Sequence, residues 1–592
     1  IGRLKPGVTL AQADAEHRAL IATVRDAAPF KLPRIWAQGE SNHVQALDAV
    51  IGRHVEGRLT LLLAAVGLVL LIACVNVANL LLVRAAGRER EAAVRLALGA
   101  GRGRLFRQSL AESAVLAATG GLAGVGLGWW GTGILVRLQP QGMLPVQNVS
   151  ISGSVLLYAA LATSLAALIF GIAPTVWTVR RVPADVLRDE GRTASGGMRV
   201  RRWGEGLMVA QVALALALTL GAGLLVRSYL LLQRVEPGFD PRNVLAVSIN
   251  LPGIRYDSLH KVLGFYERLE RETRALPGVE AAAAVSGVPL GPPMWSSEFA
   301  VSGRPPMARG GEVLHREITP EYQKVMRVRL TKGRVLTEAD RQDAPPVVLI
   351  NEALARMYFA GEDPVGQRIA YDREPDSAST WRTIVGVVGD ERQRGLGEPA
   401  RPEFLAPYPQ EPRNAMTMVV RTSGDPMAMA PAVRGIVTRM DPLLAISAIR
   451  SMEEVRAASL ARDRFLTILM LSFAGVGLVL GIVGIYGVMA QLARRRTREM
   501  GIRLALGANA GQLQWLVVRK GLSLTALGIG AGIAMALGAS QVIRTLLYQT
   551  APVDPVTYIT VALLVLITAG LASWLPAARA SRADPASVLR AD

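Results

Sequence analysis

Seven stretches of the chain are almost continuously apolar over the roughly 20 residues a helix needs to cross a 30 Å hydrocarbon core. They lie near 59–83, 110–136, 155–179, 206–231, 465–490, 520–545 and 556–578. Lipid cannot satisfy a bare backbone, so each is predicted to be a helix. Residues 232–464 break this pattern and hold no long apolar run. Short β-branched runs appear there instead, such as Val347-Val348-Leu349-Ile350 and Thr383-Ile384-Val385-Gly386-Val387-Val388. They alternate with helix-like pieces such as 258–275 and with turn signals such as Leu251-Pro252-Gly253 and Arg304-Pro305-Pro306. That alternation predicts a mixed α+β extramembrane domain. The fold class is therefore an α-helical polytopic membrane protein of about seven spans carrying a large α+β domain.

Composition agrees: 51% of the 592 residues are hydrophobic, and the mean hydropathy is +0.31. The net charge of +19 admits either a nucleic-acid partner or basic loops beside a membrane. Position decides between them. Loop 84–109 holds Arg84, Arg88, Arg90, Arg95, Arg102, Arg104 and Arg107, and loops 180–205 and 491–519 are similarly rich in arginine. Loops 138–154 and 546–555 hold no Lys or Arg. Basic loops stay cytoplasmic, which puts the large domain on the far side of the membrane. Residues 236–460 hold 28 Lys+Arg against 29 Asp+Glu, so the outer domain is neutral and no nucleic-acid partner is expected.

The chain also repeats itself, which bears directly on the fold. Residues 88–100 read R-E-R-E-A-A-V-R-L-A-L-G-A and residues 496–508 read R-T-R-E-M-G-I-R-L-A-L-G-A, at an offset of 408. Each follows one apolar span and precedes another. A second match closes each half: Pro174 with Pro183-Ala184-Asp185-Val186-Leu187-Arg188, and Pro576 with Pro585-Ala586-Ser587-Val588-Leu589-Arg590. The duplication divides the chain into 1–48 (the tail of a first outer domain), 49–192 (a three-helix membrane unit), 193–235 (the leading helix of the second half), 236–460 (the second outer domain) and 461–592 (a second three-helix unit). The first unit lacks a leading span of its own, so the repeat predicts a chain shortened at its N-terminus.

The repeated segment has helical spacing. Glu91 and Arg95 form an i,i+4 pair, as do Glu499 and Arg503. Gly99 and Gly507 suit a helix stop. A stop signal needs only arginine, whereas the recurring Leu-Ala-Leu-Gly-Ala suits a helix that docks on a cytoplasmic partner.

The segment resembles the cytoplasmic coupling helix of ABC-transporter permeases of the FtsX/MacB/LolE type. The second copy carries that pattern at Glu499, Gly501, Arg503, Ala505, Gly507 and Ala508; the first carries it at Glu91, Arg95, Ala97, Gly99 and Ala100, with Ala93 where the family usually has Gly. The outer domain resembles the MacB periplasmic domain through Leu330-Thr331-Lys332-Gly333-Arg334, Asn351-Glu352-Ala353-Leu354-Ala355 and Asp363-Pro364-Val365-Gly366-Gln367. Arg3-Leu4-Lys5-Pro6-Gly7-Val8-Thr9 is similar to part of a first such domain. The duplicated layout, with Gln211-Val212-Ala213 and Glu236-Pro237-Gly238-Phe239, resembles the duplicated orphan permeases first noted in Acidobacteria.

The resemblance implies a permease coupled to a separate cytoplasmic ABC ATPase, which binds ATP and Mg, and a mechanotransmission role in export or efflux. It implies a periplasmic adaptor and an outer-membrane channel as further partners, and a duplicated chain that supplies both halves without homodimerising. The alternative it leaves is an FtsX-like signalling scaffold controlling a periplasmic partner such as a cell-wall hydrolase. The residues themselves contain no Gly-x-x-x-x-Gly-Lys-Ser/Thr loop, no His-Glu-x-x-His and no Gly-x-Ser-x-Gly, so no cofactor, metal or catalytic residue is assigned. Asn76 and Asn79 are expected to hydrogen-bond between helices. Arg227, Glu112 and Lys520 are expected to snorkel, and the glycines of 120–128 and 528–532 to allow close helix approach.

Overall fold

A computed structural model of the chain describes residues 2–27, 44–46, 56–97, 102–138, 152–161, 163–164, 195–291, 295–305, 311–377, 379–495, 509–545 and 547–581. These form two compact units, one of long apolar helices and one built around Ser228–Leu466.

The helical unit is framed by α1 (Leu10–Ala27), α2 (Glu56–Ala97), α3 (Arg102–Leu138), α4 (Ser195–Gln233), and, after the outer domain, α9 (Met452–Arg495), α10 (Ala510–Arg544) and α11 (Pro555–Ser581). Five helices among the described residues are long and apolar enough to cross a membrane: Leu59–Leu80, Arg202–Gln233, Met452–Ala493, Gly511–Gln541 and Pro555–Arg579. The expected span at 110–136 falls within α3. Most of the one at 155–179 lies outside the described residues.

One buried apolar seam holds four of these helices together. Met208, Val212, Leu216 and Leu220 of α4 recur at one helical turn and meet Ile485 and Met489 of α9, Val517 and Leu524 of α10, and Val565 and Ala569 of α11. Glycine sets the spacing at α10: a Cβ on Gly528 would lie 2.6 Å from Val212 Cβ, and one on Gly532 would lie 2.8 Å from the Ala213 carbonyl. Their counterparts at the 408 offset, Gly120 and Gly124, meet nothing within 4 Å among the described residues. The two glycine sets are thus not used alike.

The outer domain is a 12-stranded mixed sheet. Its strands are β1 (Val244–Asn250), β2 (Val279–Val285), β3 (Ser296–Ser297), β4 (Ala300–Val301), β5 (Val313–Ile318), β6 (Leu330–Gly333), β7 (Val347–Asn351), β8 (Arg368–Ala370), β9 (Arg382–Val388), β10 (Glu403–Pro407), β11 (Ala415–Thr422) and β12 (Ile446–Ser451). The order is β12-β1-β11-β2-β5-β10-β7-β9-β8-β4, with β3 on β5 and β6 on β9. Only β5–β10 and β7–β9 pair in parallel; the other pairs are antiparallel.

Four helices accompany the sheet: α5 (Leu259–Arg274), α6 (Tyr322–Met326), α7 (Glu352–Tyr358) and α8 (Ala430–Met440). Val262, Phe265, Tyr266 and Leu269 form one stripe of α5 and pack with Val433, Ile436 and Val437 of α8 on alternate residues Leu245, Val247 and Ile249 of β1. A second core joins Val348 and Ile350 of β7, Ile384 and Val387 of β9, Phe404 of β10 and Leu354 of α7.

Candidate functional site

The features that bear on function lie where membrane helices meet other elements. α2 is the first. It runs unbroken from the apolar span into the first copy of the repeated motif, so Glu91, Arg95 and Ala97 belong to the same helix as Leu59. The sequence reading separated a span from a short surface helix. The structure joins them, because residues 81–97 contain no proline and are mostly Leu, Ala, Arg and Glu, all strong helix formers. Gly99 and Ala100 lie outside the described residues, as does the whole second copy with Glu499, Gly501, Arg503, Ala505, Gly507 and Ala508. The residue that follows the second copy, Asn509, caps α10 by accepting a hydrogen bond from the Gly511 N–H.

Inside the helical unit three polar groups meet. Asn76 Nδ2 of α2 donates to the Leu480 carbonyl of α9 (2.8 Å). Gln211 Nε2 of α4 donates to the same carbonyl (2.7 Å) and to Asn76 Oδ1 (2.9 Å). Both side chains are buried, Asn76 at 7% exposure and Gln211 at 1%. Gly484, one turn beyond Leu480, leaves them room: a Cβ there would overlap both amides. The interhelical role expected of Asn76 is present. Gln211 was singled out only as part of a resemblance, since one glutamine in an apolar run says nothing about its partner.

At one end of α4 and α11, Arg227 donates to Asp554 Oδ2 (2.7 Å). Asp554 is also the N-cap of α11: its carboxylate accepts from the Thr557 N–H (2.8 Å) and hydroxyl (2.6 Å), with Pro555 at the first helical position. Lys520 pairs with Glu205 of α4 at 3.3 Å. In both cases the counter-charge sits on a neighbouring helix, remote in sequence. Glu112 has Gln108 as a neighbour, its Nε2 donating at 3.4 Å.

Within the outer domain, the segment leaving α4 is tightly held. Gly238 has φ +87°, and a Cβ on it would overlap the Asp390 carbonyl. The Arg392 N–H donates to the Pro237 carbonyl (2.9 Å). Arg421 of β11, nearly fully buried, donates to three backbone carbonyls, of Val325 (2.7 Å), Arg242 (2.9 Å) and Asp240 (2.8 Å). The return into α9 is built on a capping box: Ser451 Oγ accepts from the Glu454 N–H and Glu454 Oε2 from the Ser451 N–H, both at 3.0 Å. Arg456 of α9 donates to the Gln233 carbonyl at the end of α4 (2.7 Å), tying the departing helix to the returning one.

Behind Asp390 sits a fully buried charge cluster. Arg316 of β5 forks onto Glu403 of β10, with Nη2 at 2.7 and 2.8 Å and Nε at 2.9 Å, and its Nη1 reaches Glu391 (2.8 Å) and the Tyr322 hydroxyl (2.7 Å). Tyr322 donates to Glu391 (2.9 Å). Two carboxylates face one guanidinium. Burial, with Glu403 adding to it and Arg316 opposing, pushes Glu391 up to about 7. The sequence held no signal for this cluster, because a charged residue in a strand looks solvent-facing until its partners are known. Burial also pulls His315 down to about 3, helped by Arg382 and Arg413. Among the described residues, no group of three or more His, Cys, Asp or Glu could hold a metal ion.

Comparison with known proteins completes the picture. The FtsX-like permease C-terminal family matches twice, at residues 63–183 and 471–585. The MacB-like periplasmic core domain family matches residues 206–437. The chain is similar to the macrolide export ATP-binding/permease protein MacB of Hahella chejuensis, 26% identical over 279 residues, which cover 45% of this chain and 41% of that protein. It is 25% identical over 279 residues to the pyoverdine export ATP-binding/permease protein PvdT of Pseudomonas savastanoi pv. phaseolicola, covering 44% and 40%. It is 32% identical over 280 residues to the uncharacterised ABC transporter permease YknZ of Bacillus subtilis, covering 46% of this chain and 68% of that one. The chain thus spans about two fifths of the length of the MacB and PvdT relatives. Among solved structures, the periplasmic region of MacB from Actinobacillus actinomycetemcomitans aligns with a TM-score of 0.26 at 14% identity, covering 37% of this chain and 93% of that one.

Long membrane helices together with a periplasmic sheet domain define the class: a multi-pass permease of the inner membrane. The chain belongs to the MacB/FtsX family of ABC transporter permeases, with two FtsX-like membrane units and a MacB-like periplasmic core.

Proposed function

We propose that this chain is the membrane-spanning component of an export system of the mechanotransmission kind. ATP and Mg are handled by a separate cytoplasmic ABC ATPase. That ATPase docks on the two coupling segments, through Glu91, Arg95, Ala97, Gly99 and Ala100 in the first half and Glu499, Gly501, Arg503, Ala505, Gly507 and Ala508 in the second. Motion at those segments travels along the spans to the periplasmic sheet, where an adaptor and an outer-membrane channel complete the route. One chain supplies both permease halves.

The observation that carries this reading is the continuity of α2, 42 residues from Glu56 to Ala97 without a break. A helix of that length is a rod of roughly 60 Å, stiff enough to move its two ends together. The capping box of α9 and the Arg456–Gln233 contact support it from the other end, since they tie both membrane helices to the domain base.

The test is ATPase activity in proteoliposomes holding the permease and its ATPase. Glu499→Lys and Gly507→Asp proteins should insert normally, yet leave the ATPase at its unstimulated rate. Full stimulation in both would sink the docking role. A murein hydrolase, rather than an adaptor, recovered with the intact complex would replace export by signalling.

A further inference from the structure

The 408 offset that relates the two motifs also relates Asn76 to Gly484 and Asn79 to Gly487, with no gap in between. These equivalent positions face each other. Asn76 lies against Gly484, and a Cβ on Gly487 would sit 3.9 Å from Asn79 Nδ2. The helices α2 and α9 therefore meet along a local pseudo-two-fold axis. At that axis the repeat is deliberately unequal in chemistry: an amide on one side, a glycine on the other.

We propose that Asn76, Gln211 and the Leu480 carbonyl uncovered by Gly484 form an intramembrane lock that pairs the two halves of one chain with each other, rather than like halves of two copies. This rests on the reading that one chain supplies both permease halves.

The physical argument is one of complementarity. Glycine at 484 leaves the Leu480 carbonyl open beside the helix, and two amide donors fill the recess at 2.7 and 2.8 Å. Two copies of α2 at this register would set Asn76 against Asn76 with no recess between them. Two copies of α9 would set Gly484 against Gly484, leaving a void and no donor. Only the unlike pair fills the recess that Gly484 leaves and brings two amide donors to the uncovered Leu480 carbonyl, which lipid cannot do in their stead. Gln211 adds the leading helix α4 to the same lock, so three helices share one carbonyl.

Disulfide trapping in membranes tests it, in a Cys74→Ser background that removes the single native cysteine. Asn79→Cys with Gly487→Cys should form an intrachain disulfide, seen as fragments that stay joined without reductant after proteolysis within the periplasmic domain. Asn79→Cys alone should stay at monomer mass. Asn76→Ala with Gln211→Leu, or Gly484→Ala in their place, should slow the intrachain disulfide by about tenfold. An unchanged rate in both would overturn the lock while leaving the one-chain reading intact. A covalent dimer of the Asn79→Cys protein, whose lock residues are untouched, would overturn the one-chain reading and the lock with it.

Discussion

Glu391 shows how a single buried side chain ties the domain's stability to pH. Its folded value of about 7 lies above the usual glutamate range, so the folded state holds a proton that the unfolded state releases. The resulting stability is complete below about pH 4.5 and is lost as pH rises through about 7, a contribution of about 3 kcal/mol. His315 acts oppositely. Kept neutral when folded, it costs stability as pH falls below about 6.5, where the unfolded imidazole charges. Between pH 8 and 6.5, therefore, Glu391 sets the slope: the thermal midpoint of the purified protein should rise across that window, and Glu391→Gln should flatten the rise. A Glu391→Gln protein with the wild-type slope would refute the assignment. None of this is visible in the string Gly389-Asp390-Glu391-Arg392, where both acids look equally exposed. By contrast, the requirement for glycine at 238 sits in a legible turn, Pro237-Gly238, although the Asp390 carbonyl that enforces it is 152 positions away.

At the scale of elements, helix starts carry capping residues in the sequence that the pattern of apolar runs does not use. Ser451-Met452-Glu453-Glu454 and Asp554-Pro555-Val556-Thr557 are readable start signals, and both form the capping bonds they encode. Apolarity stops near residue 83, and by itself that predicts the end of the first span there. The backbone has no reason to stop, so α2 continues to Ala97. Asp554 carries both a cap and an ion pair with Arg227. Asp554→Ala should thus lower stability by about 1–2 kcal/mol, and Asp554→Asn by less, since asparagine caps nearly as well and only the charge is lost. Chemical unfolding in detergent measures this, and equal losses in the two variants would show that the cap contributes nothing.

For the molecule as a whole, the duplication decides what stoichiometry to expect. Two FtsX-like units lie in one chain, each with its own copy of the segment proposed to dock the ATPase. One chain should therefore bind two copies of the nucleotide-binding subunit, a ratio of one to two by native mass spectrometry of the detergent-purified complex. A ratio of two to two would mean that each chain engages only one of its segments.

By itself the sequence determined the class, the membrane topology and the duplication. Each is written in patterns of short range: apolar runs of a bilayer's length, arginines on one side, a motif stated twice. Only the tertiary structure decided which unlike residues meet. Apart from the neighbours Arg316 and Tyr322, the Arg316 cluster, the Arg227–Asp554 pair and the Asn76–Gln211–Leu480 contact join positions from 69 to 404 residues apart. Such partners are chosen by packing and by the cost of leaving a buried polar group unpaired, and neither acts along the chain.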